Sequence, residues 1–334
     1  MIVVASRALA PSALRSVRAA TVNARRRCLQ TAAAESAGTA EAYLEPVQGR
    51  PGIVSLLLNR PKAKNAISMK LLKVRSRRAP LNRASRSRGR TGLSPSRRTP
   101  TPSVYQEFQE CLDKVQFDKD TRVLIVRSST VGSFCAGADL IERASMSKAQ
   151  VDKFLLDLRR ALGTLERLPV PTIAAIDGPA LGGGLELGLA CDLRVAGHSV
   201  TKIGLPEVKL GIIPGAGGTQ RLTRLLGLAK AKDLIFTARI MTAQEAHQIG
   251  VVDYVSDPEG TAVDKALELA AQMSANAPLA LKAAKQAISR VPELGLESGL
   301  DFERASYEPL LHTKDRLEAL QAFKEKRAPV FKGE

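Results

Sequence analysis

The 334-residue chain has no tryptophan, and aromatic residues make up only 4% of it. Its core must therefore rest on Leu, Ile, Val and Ala. The three histidines (His198, His247, His312) are scattered, with no spacing that links them into a ligand set or catalytic group, and read as structural or surface residues. The four cysteines (Cys28, Cys111, Cys135, Cys191) show no paired spacing, which argues against a disulfide framework and a cysteine metal site. No apolar run approaches the roughly 18 residues that a membrane-spanning helix needs. What remains is ordinary for a globular protein: 44% apolar residues, enough for one large domain or two smaller ones.

Acidic residues are missing from two stretches, and this locates the net charge of +17. Residues 1–34 carry six Arg and no acid; residues 74–106 carry nine Arg and no acid; together they supply +15 of the +17. The rest of the chain is nearly neutral, which does not suit a molecule that binds nucleic acid over its whole surface. The first segment, rich in Arg, Ala and Ser, has the composition of a mitochondrial transit peptide, with processing near "RRRCLQT". The second, "VRSRRAPLNRASRSRGRTGLSPSRRTPTPSVYQ", has no periodicity and reads as a disordered insertion.

Elsewhere strands and helices alternate. "GIVSLLLNRP", "RVLIVRSS" and "PTIAAIDGPALGGG" read as strands, the last running into a Gly-rich loop. "LELGLACDLRVAG" reads as a short helix followed by a strand. "SKAQVDKFLLDLRRALGTLERL" reads as an amphipathic helix capped by Ser147, its apolar face made of Val151, Phe154, Leu155, Leu158, Leu162 and Leu165. "TAQEAHQIG" carries a capping box. These patterns predict an α/β core over 40–225, interrupted at 74–106, and an almost wholly helical region over 226–334.

Three Gly-rich segments allow a ligand close to the backbone: "SFCAGADL", "DGPALGGGLELGLACDL" and "IGLPEVKLGIIPGAGGTQRL". The glycines of the third fit neither a dinucleotide fingerprint nor a P-loop, and read as a tight turn opening a helix. Two carboxylates, Glu186 and Glu207, sit among apolar neighbours. Such surroundings raise a carboxylate's pKa and suit it to acid/base work; as helix-terminal residues they could equally serve the helix dipole. Cys135, beside one of these loops, reads as a small buried apolar residue rather than a nucleophile.

"LNRPKAKNAIS", "FCAGADL", "IAAIDGPALGGGLELGLACDLRVA", "GLPEVKLGIIPGAGGTQRLTRLLG" and "TKDRLEALQAFKEKRAPVFKG" together resemble the enoyl-CoA hydratase/isomerase (crotonase) family, over about residues 50–73 and 107–334. Within it they most resemble the mitochondrial, AU-binding methylglutaconyl-CoA hydratases and their paralogues. The resemblance implies a crotonase spiral of ββα units with a C-terminal helical oligomerisation region, and a homotrimer or hexamer. It implies a hydratase of the mitochondrial matrix that adds water reversibly to a 2-enoyl-CoA, either 3-methylglutaconyl-CoA of leucine breakdown or a short-chain substrate of fatty acid β-oxidation. An enoyl-CoA isomerase is the alternative within the family; having both glutamates favours the hydratase. By motif position the backbone N–H groups of Ala136 and Gly183 would form the oxyanion hole, Glu186 would activate water and Glu207 would exchange the Cα proton. Lys64, Ala66, Ala138 and Asp139 match segments that line the CoA path, and Lys324 is placed to reach a CoA phosphate. No metal and no separate cofactor is implied, since CoA is part of the substrate. Glu186 and Glu207 lie 21 positions apart, one more than the family pattern leads us to expect. The extra residue falls in "AGHSVTKIG", where a bulge would absorb it.

The insertion has two readings. As a functional arm it would bind RNA through its arginines, although it offers no aromatic stacking residue before Tyr105. Alternatively, it does not belong to the fold. Joining Lys73 to Glu107 places Leu71, Leu72, Phe108, Cys111, Leu112 and Val115 on one face of a single helix, with Ser68 as its cap. Val74 is encoded by GT-initial codons and Gln106 can be encoded by CAG. Those are intron ends, and the 33 codons keep the frame. The second reading is the one adopted.

Overall fold

The computed structural model describes residues 40–68 and 107–334. The transit peptide, the insertion and Leu71–Leu72 lie outside these residues. A six-stranded sheet runs in the order β1 (Ala42–Pro46), β2 (Ile53–Leu58), β3 (Val123–Ser128), β4 (Thr172–Ile176), β6 (Leu193–Ala196) and β9 (Tyr254–Val255). Only β1 is antiparallel to its neighbour; every other pairing in this sheet is parallel. The central strands read "IVSLLL", "VLIVRS" and "TIAAI". Such near-continuous apolar runs belong to strands covered on both faces. Alternation then sorts the side chains. Leu124, Val126, Ala174 and Ile176 enter one core, while Val123, Ile125, Ile173 and Ala175 enter another on the opposite face.

The first core is covered by helices α1 (Glu107–Phe117), α3 (Lys148–Glu166) and α4 (Gly183–Leu189). Helix α1 buries Phe108, Cys111, Leu112 and Val115, the face anticipated from the rejoined sequence. Helix α3 starts at the Ser147 cap, completed as a capping box by Gln150, and buries Phe154, Leu158, Leu162 and Leu165. Between α1 and α3 lies the short α2 (Leu140–Ala144). The second core is closed by α8 (Ala262–Ser274), through Ala262, Ala266, Leu269 and Ala270.

A second sheet is small: β5 (Ala180–Leu181), β7 (Ile203–Gly204) and β8 (Ile240–Met241). The chain continues through α5 (Gly218–Leu226), α6 (Leu228–Phe236) and α7 (Ala243–Ile249), then past α8 to α9 (Pro278–Ser289), α10 (Leu296–Tyr307) and α11 (Lys314–Glu325). The region after residue 225 is almost wholly helical, as the sequence indicates, with two two-residue strands among its helices. It supplies β8, β9 and the α8 cover of the central sheet, and Glu41–Glu334 forms one unit. Two-residue strands are too short to leave a period in the sequence. No described helix is long and apolar enough to cross a membrane.

Candidate active site

The small sheet brings the two carboxylates together. β5 and β7 run parallel, with Ala180 opposite Ile203 and Leu181 opposite Gly204. The Gly182 N–H extends the ladder to the Gly204 carbonyl at 2.9 Å. Each strand then hands the chain to a turn at the same edge. β5 leads into α4, whose first turn carries Glu186; β7 leads into a 3₁₀ turn (Glu207–Leu210) that begins with Glu207. In the connection 197–202 the Val200 N–H closes a turn on the Gly197 carbonyl at 3.0 Å, and β7 follows in regular parallel register with β5.

Glycine is required where these elements meet. Gly182 has φ +52, and a Cβ there would stand 2.9 Å from Glu207 Oε1. A Cβ on Gly184 would lie 2.0 Å from the Cys135 carbonyl oxygen, so a side chain cannot be accommodated without moving backbone. This close approach packs α4 directly against the "CAGAD" segment.

Both carboxylates are buried, Glu186 at 2% exposure and Glu207 at 8%. Glu186 Oε1 accepts two backbone hydrogen bonds, from the Ala216 N–H at 2.8 Å and the Gly218 N–H at 2.7 Å. Burial raises the Glu186 pKa, while the two amides and Arg221 pull against that rise. Glu207 has weaker compensation. Burial, assisted by the Glu186 charge, pushes it up to about 7, and its Oε2 is buried with no hydrogen-bond partner. One carboxyl is gripped by two amides and the other, raised and without a partner at Oε2, holds its proton more readily, so the pair can divide into a base and an acid.

The segment 134–139 threads between two neighbours. On one side it meets 64–67, through Ala136 N–H to Lys64 O (3.1 Å), Ile67 N–H to Gly137 O (2.7 Å) and Asp139 N–H to Ile67 O (3.1 Å). On the other it meets 179–181, through Cys135 N–H to Pro179 O (3.1 Å) and Leu181 N–H to Cys135 O (3.3 Å). The Ala136 amide is thus committed to the Lys64 carbonyl, which corrects its expected place in the oxyanion hole. Among the described residues, the Ala138 and Gly183 N–H groups have no acceptor. They are neighbours, since a Cβ on Gly183 would come within 3.6 Å of the Ala138 nitrogen. Ala136 and Ala138 are two apart, so in a regular extended segment their amides would face the same side. Gly137, with φ +97, breaks that alternation, and the spacing of "CAGAD" alone does not say which alanine faces the cleft.

The remaining anticipated residues fall into two groups. Lys64 and Asn65 both have positive φ (49° and 55°), which turns the chain after the 3₁₀ turn Pro61–Ala63. The buried Asn65 holds that turn against the core, accepting from the Arg60 N–H (2.7 Å) and donating to Ser128 Oγ (2.8 Å) and Phe134 O (2.9 Å). The Lys64 side chain is exposed, and Ala66 is buried with its carbonyl accepting from Arg60. Asp139 caps α2 by accepting from the Glu142 N–H (3.1 Å) and pairs with Arg60 (3.1 Å), which together keep its carboxyl below the usual range. Lys64, Ala66, Ala138 and Asp139 therefore lie in one cluster of contacts beside Gly183. Lys324 does not join them: it is exposed on α11 and makes no hydrogen bond or ion pair with them. Two cavities lie elsewhere, one of about 680 Å³ between α3, α5 and α9 and one of about 240 Å³ between α9 and α11. Among the described residues no cluster of acidic, His or Cys side chains could hold a metal ion.

Sequence reasoning missed Arg221, which backs the Ala216–Gly218 turn. Its place in "GGTQRL", four residues after Gly217, was visible, but nothing in the sequence says that its side chain folds back over the turn.

Comparison with known proteins gives one answer throughout. The family described as enoyl-CoA hydratase/isomerase matches residues 99–334. The enoyl-CoA isomerase/hydratase fer4 of Mycosarcoma maydis is 48% identical, over 88% of this chain and 98% of its own length. The mitochondrial methylglutaconyl-CoA hydratase of Mus musculus is 46% identical, over 85% of this chain and 80% of its own. Among solved structures, an enoyl-CoA hydratase from Bacillus anthracis superposes with a TM-score of 0.75 at 41% identity, covering 88% of this chain and all of that one. The architecture described above is accordingly the crotonase fold, and the chain belongs to the enoyl-CoA hydratase/isomerase family.

Proposed function

We propose that the protein hydrates a 2-enoyl-CoA thioester, using Glu186 and Glu207 as its acid/base pair and the Ala138 and Gly183 amides as its oxyanion hole. The observation that carries this reading is the meeting of two buried carboxylates of unlike environment with two unspent, adjacent backbone donors. The thioester oxygen lies between the two N–H groups. Glu186, ionised, takes a proton from water as the water oxygen bonds to Cβ. The electron pair of the double bond moves toward the thioester, and the enolate charge is held by the amides. Glu207, protonated, delivers its proton to Cα. The balance is one H and one OH added to substrate, with a proton passed from Glu207's carboxyl and gained on Glu186's. Exchange with solvent resets the pair. The chemistry needs no metal or redox group, and CoA enters as part of the substrate, beside Lys64, Ala66 and Asp139.

Three finer points belong to the same reading. The mitochondrial names of several relatives and the basic, acid-free residues 1–34 support action in the mitochondrial matrix. The relatives named as methylglutaconyl-CoA hydratases support 3-methylglutaconyl-CoA as substrate, with short-chain enoyl-CoA second. The apolar side chains exposed on α9–α11, Ile288, Leu296, Leu320 and Phe323 among them, support a homotrimer or hexamer in which Lys324 meets a neighbour's CoA. Turnover of 3-methylglutaconyl-CoA and crotonyl-CoA, followed by loss of the conjugated thioester absorbance, tests the activity and the substrate together. Faster turnover of the branched substrate is expected; hydration of neither would overturn the reading.

A further inference from the structure

The guanidinium of Arg221 on α5 sits behind the Glu186 site rather than in it. Nη1 donates to the Ala216 carbonyl at 3.0 Å, and Nη2 pairs with Glu166 Oε2 on α3 at 2.7 Å. The Arg221 backbone N–H donates to Gly217 O at 2.8 Å. Gly217, with φ +112, leaves room for the returning side chain; a Cβ there would lie 2.3 Å from Nη1. Ala216 is thus held at both ends of its own backbone. Its carbonyl is bound by Arg221 while its N–H, with that of Gly218, binds Glu186 Oε1. The Arg221 Nε is buried with no partner, so this side chain is kept in place despite an unmet donor.

We propose that Arg221 is a positioning residue for Glu186. It locks the Ala216–Gly218 turn so that both amides converge on Oε1, which leaves the other carboxylate oxygen aimed at the attacking water. The proposal rests on the reading of Glu186 as the water-activating base. A fork-shaped cation is required, because two fixed acceptors, the Ala216 carbonyl and the Glu166 carboxylate, must be bridged at once; a lysine is a single point of charge. The fork's positive charge also favours the ionised form of Glu186.

The charged and titratable groups around Glu186 are few. Glu207 opposes its ionisation from the 3₁₀ turn, and Arg221 favours it from α5, itself partly neutralised by Glu166 of α3. Arg194 on β6 is paired with Asp253 at 2.6 Å, and the Cys135 thiol beneath Gly184 is pushed up to about 12 and stays neutral.

The test uses the full chain with Arg221→Met, Arg221→Lys and Glu166→Gln. Arg221→Met is expected to lower kcat about 10- to 100-fold through misplacement of the base, with KM within about twofold. It should also move the acid limb of the kcat–pH profile upward. Arg221→Lys should keep the acid limb near its wild-type position yet still lower kcat, because it restores charge without the fork. Glu166→Gln should have the smallest effect, since Arg221 keeps its bond to Ala216. If Arg221→Met does not fold, Arg221→Lys alone decides, and a wild-type kcat there overturns the proposal. Infrared titration of the Glu186 carboxyl, read as the difference from Glu186→Gln without substrate, is the second measurement. An upward midpoint in Arg221→Met supports the proposal; lost thermal stability with no movement of either midpoint overturns it. An inactive wild type would count against the hydratase reading, while the infrared midpoint would still report on Arg221.

Discussion

Helices α4 and α10 make opposite use of their surroundings. All seven residues of α4 are buried, whereas α10 buries none of its twelve. α9 likewise buries none of its residues. The candidate site is assembled inside the chain: its donors, acceptors and carboxylates meet between residues 64–67 and 134–221. The last helices carry large apolar side chains on their outside, with Phe323 at 86% exposure and Leu296 at 76%. The contrast is between a segment whose polar groups are matched inside the chain and a pair of helices that leave their large apolar side chains uncovered by the described residues.

The largest effect that separates the two regions is steric. Gly184→Ala should cost about 3 kcal/mol, because its Cβ meets a backbone oxygen that cannot move aside. Gly299→Ala in α10, with nothing within 4 Å of its Cβ, should stabilise by about 0.5–1 kcal/mol. Thermal melts of both variants check the pair; equal effects would erase the distinction. Next, Phe323→Glu should shift the mass seen by light scattering toward smaller species while leaving helix content unchanged.

A smaller effect concerns pH. The folded-state pKa of Glu207 is raised to about 7 from an ordinary 4.5, so the folded form holds this proton more tightly than the unfolded chain does. The stability from this group is therefore fully present below about pH 4.5 and is lost as pH rises to about 7. Glu186 acts in the same direction. Glu207→Gln should flatten that slope and melt above the wild type at pH 8; an unchanged slope of Tm against pH would show that Glu207 is not held this way. The smallest effect is expected from deleting residues 74–106. Ser68 Oγ donates to Glu41 Oε2 at 2.8 Å, and Glu107 accepts from the backbone N–H of both Glu41 and Ala42. The two flanks therefore meet at one place, at Glu41 and Ala42. Hydratase activity should survive the deletion. Loss of folding, or RNA binding in a gel shift that disappears with the segment, would restore a role to it.

Much of this was readable in the sequence because its signals are local. The cap and stripe of α3 follow from Ser147 and a 3.6-residue period, and the buried face of α1 from the same period once the insertion is set aside. Glu186 and Glu207 stood out as carboxylates among glycines and apolar residues. What was not legible depends on direction. "CAGAD" contains two candidate amides, and only the pairing of Ala136 with Lys64 shows that Ala138 is the one left beside Gly183. β8 and β9 are too short to show a period, and the fold-back of Arg221 depends on a partner, Glu166, 55 positions away.

The most direct test of the paired-carboxylate site is the hydration rate of Glu186→Gln and Glu207→Gln, each measured at saturating enoyl-CoA with unchanged thermal unfolding at pH 5. Each is predicted to lose about 100- to 10,000-fold in kcat while still binding the thioester. Wild-type turnover by either variant would contradict the account.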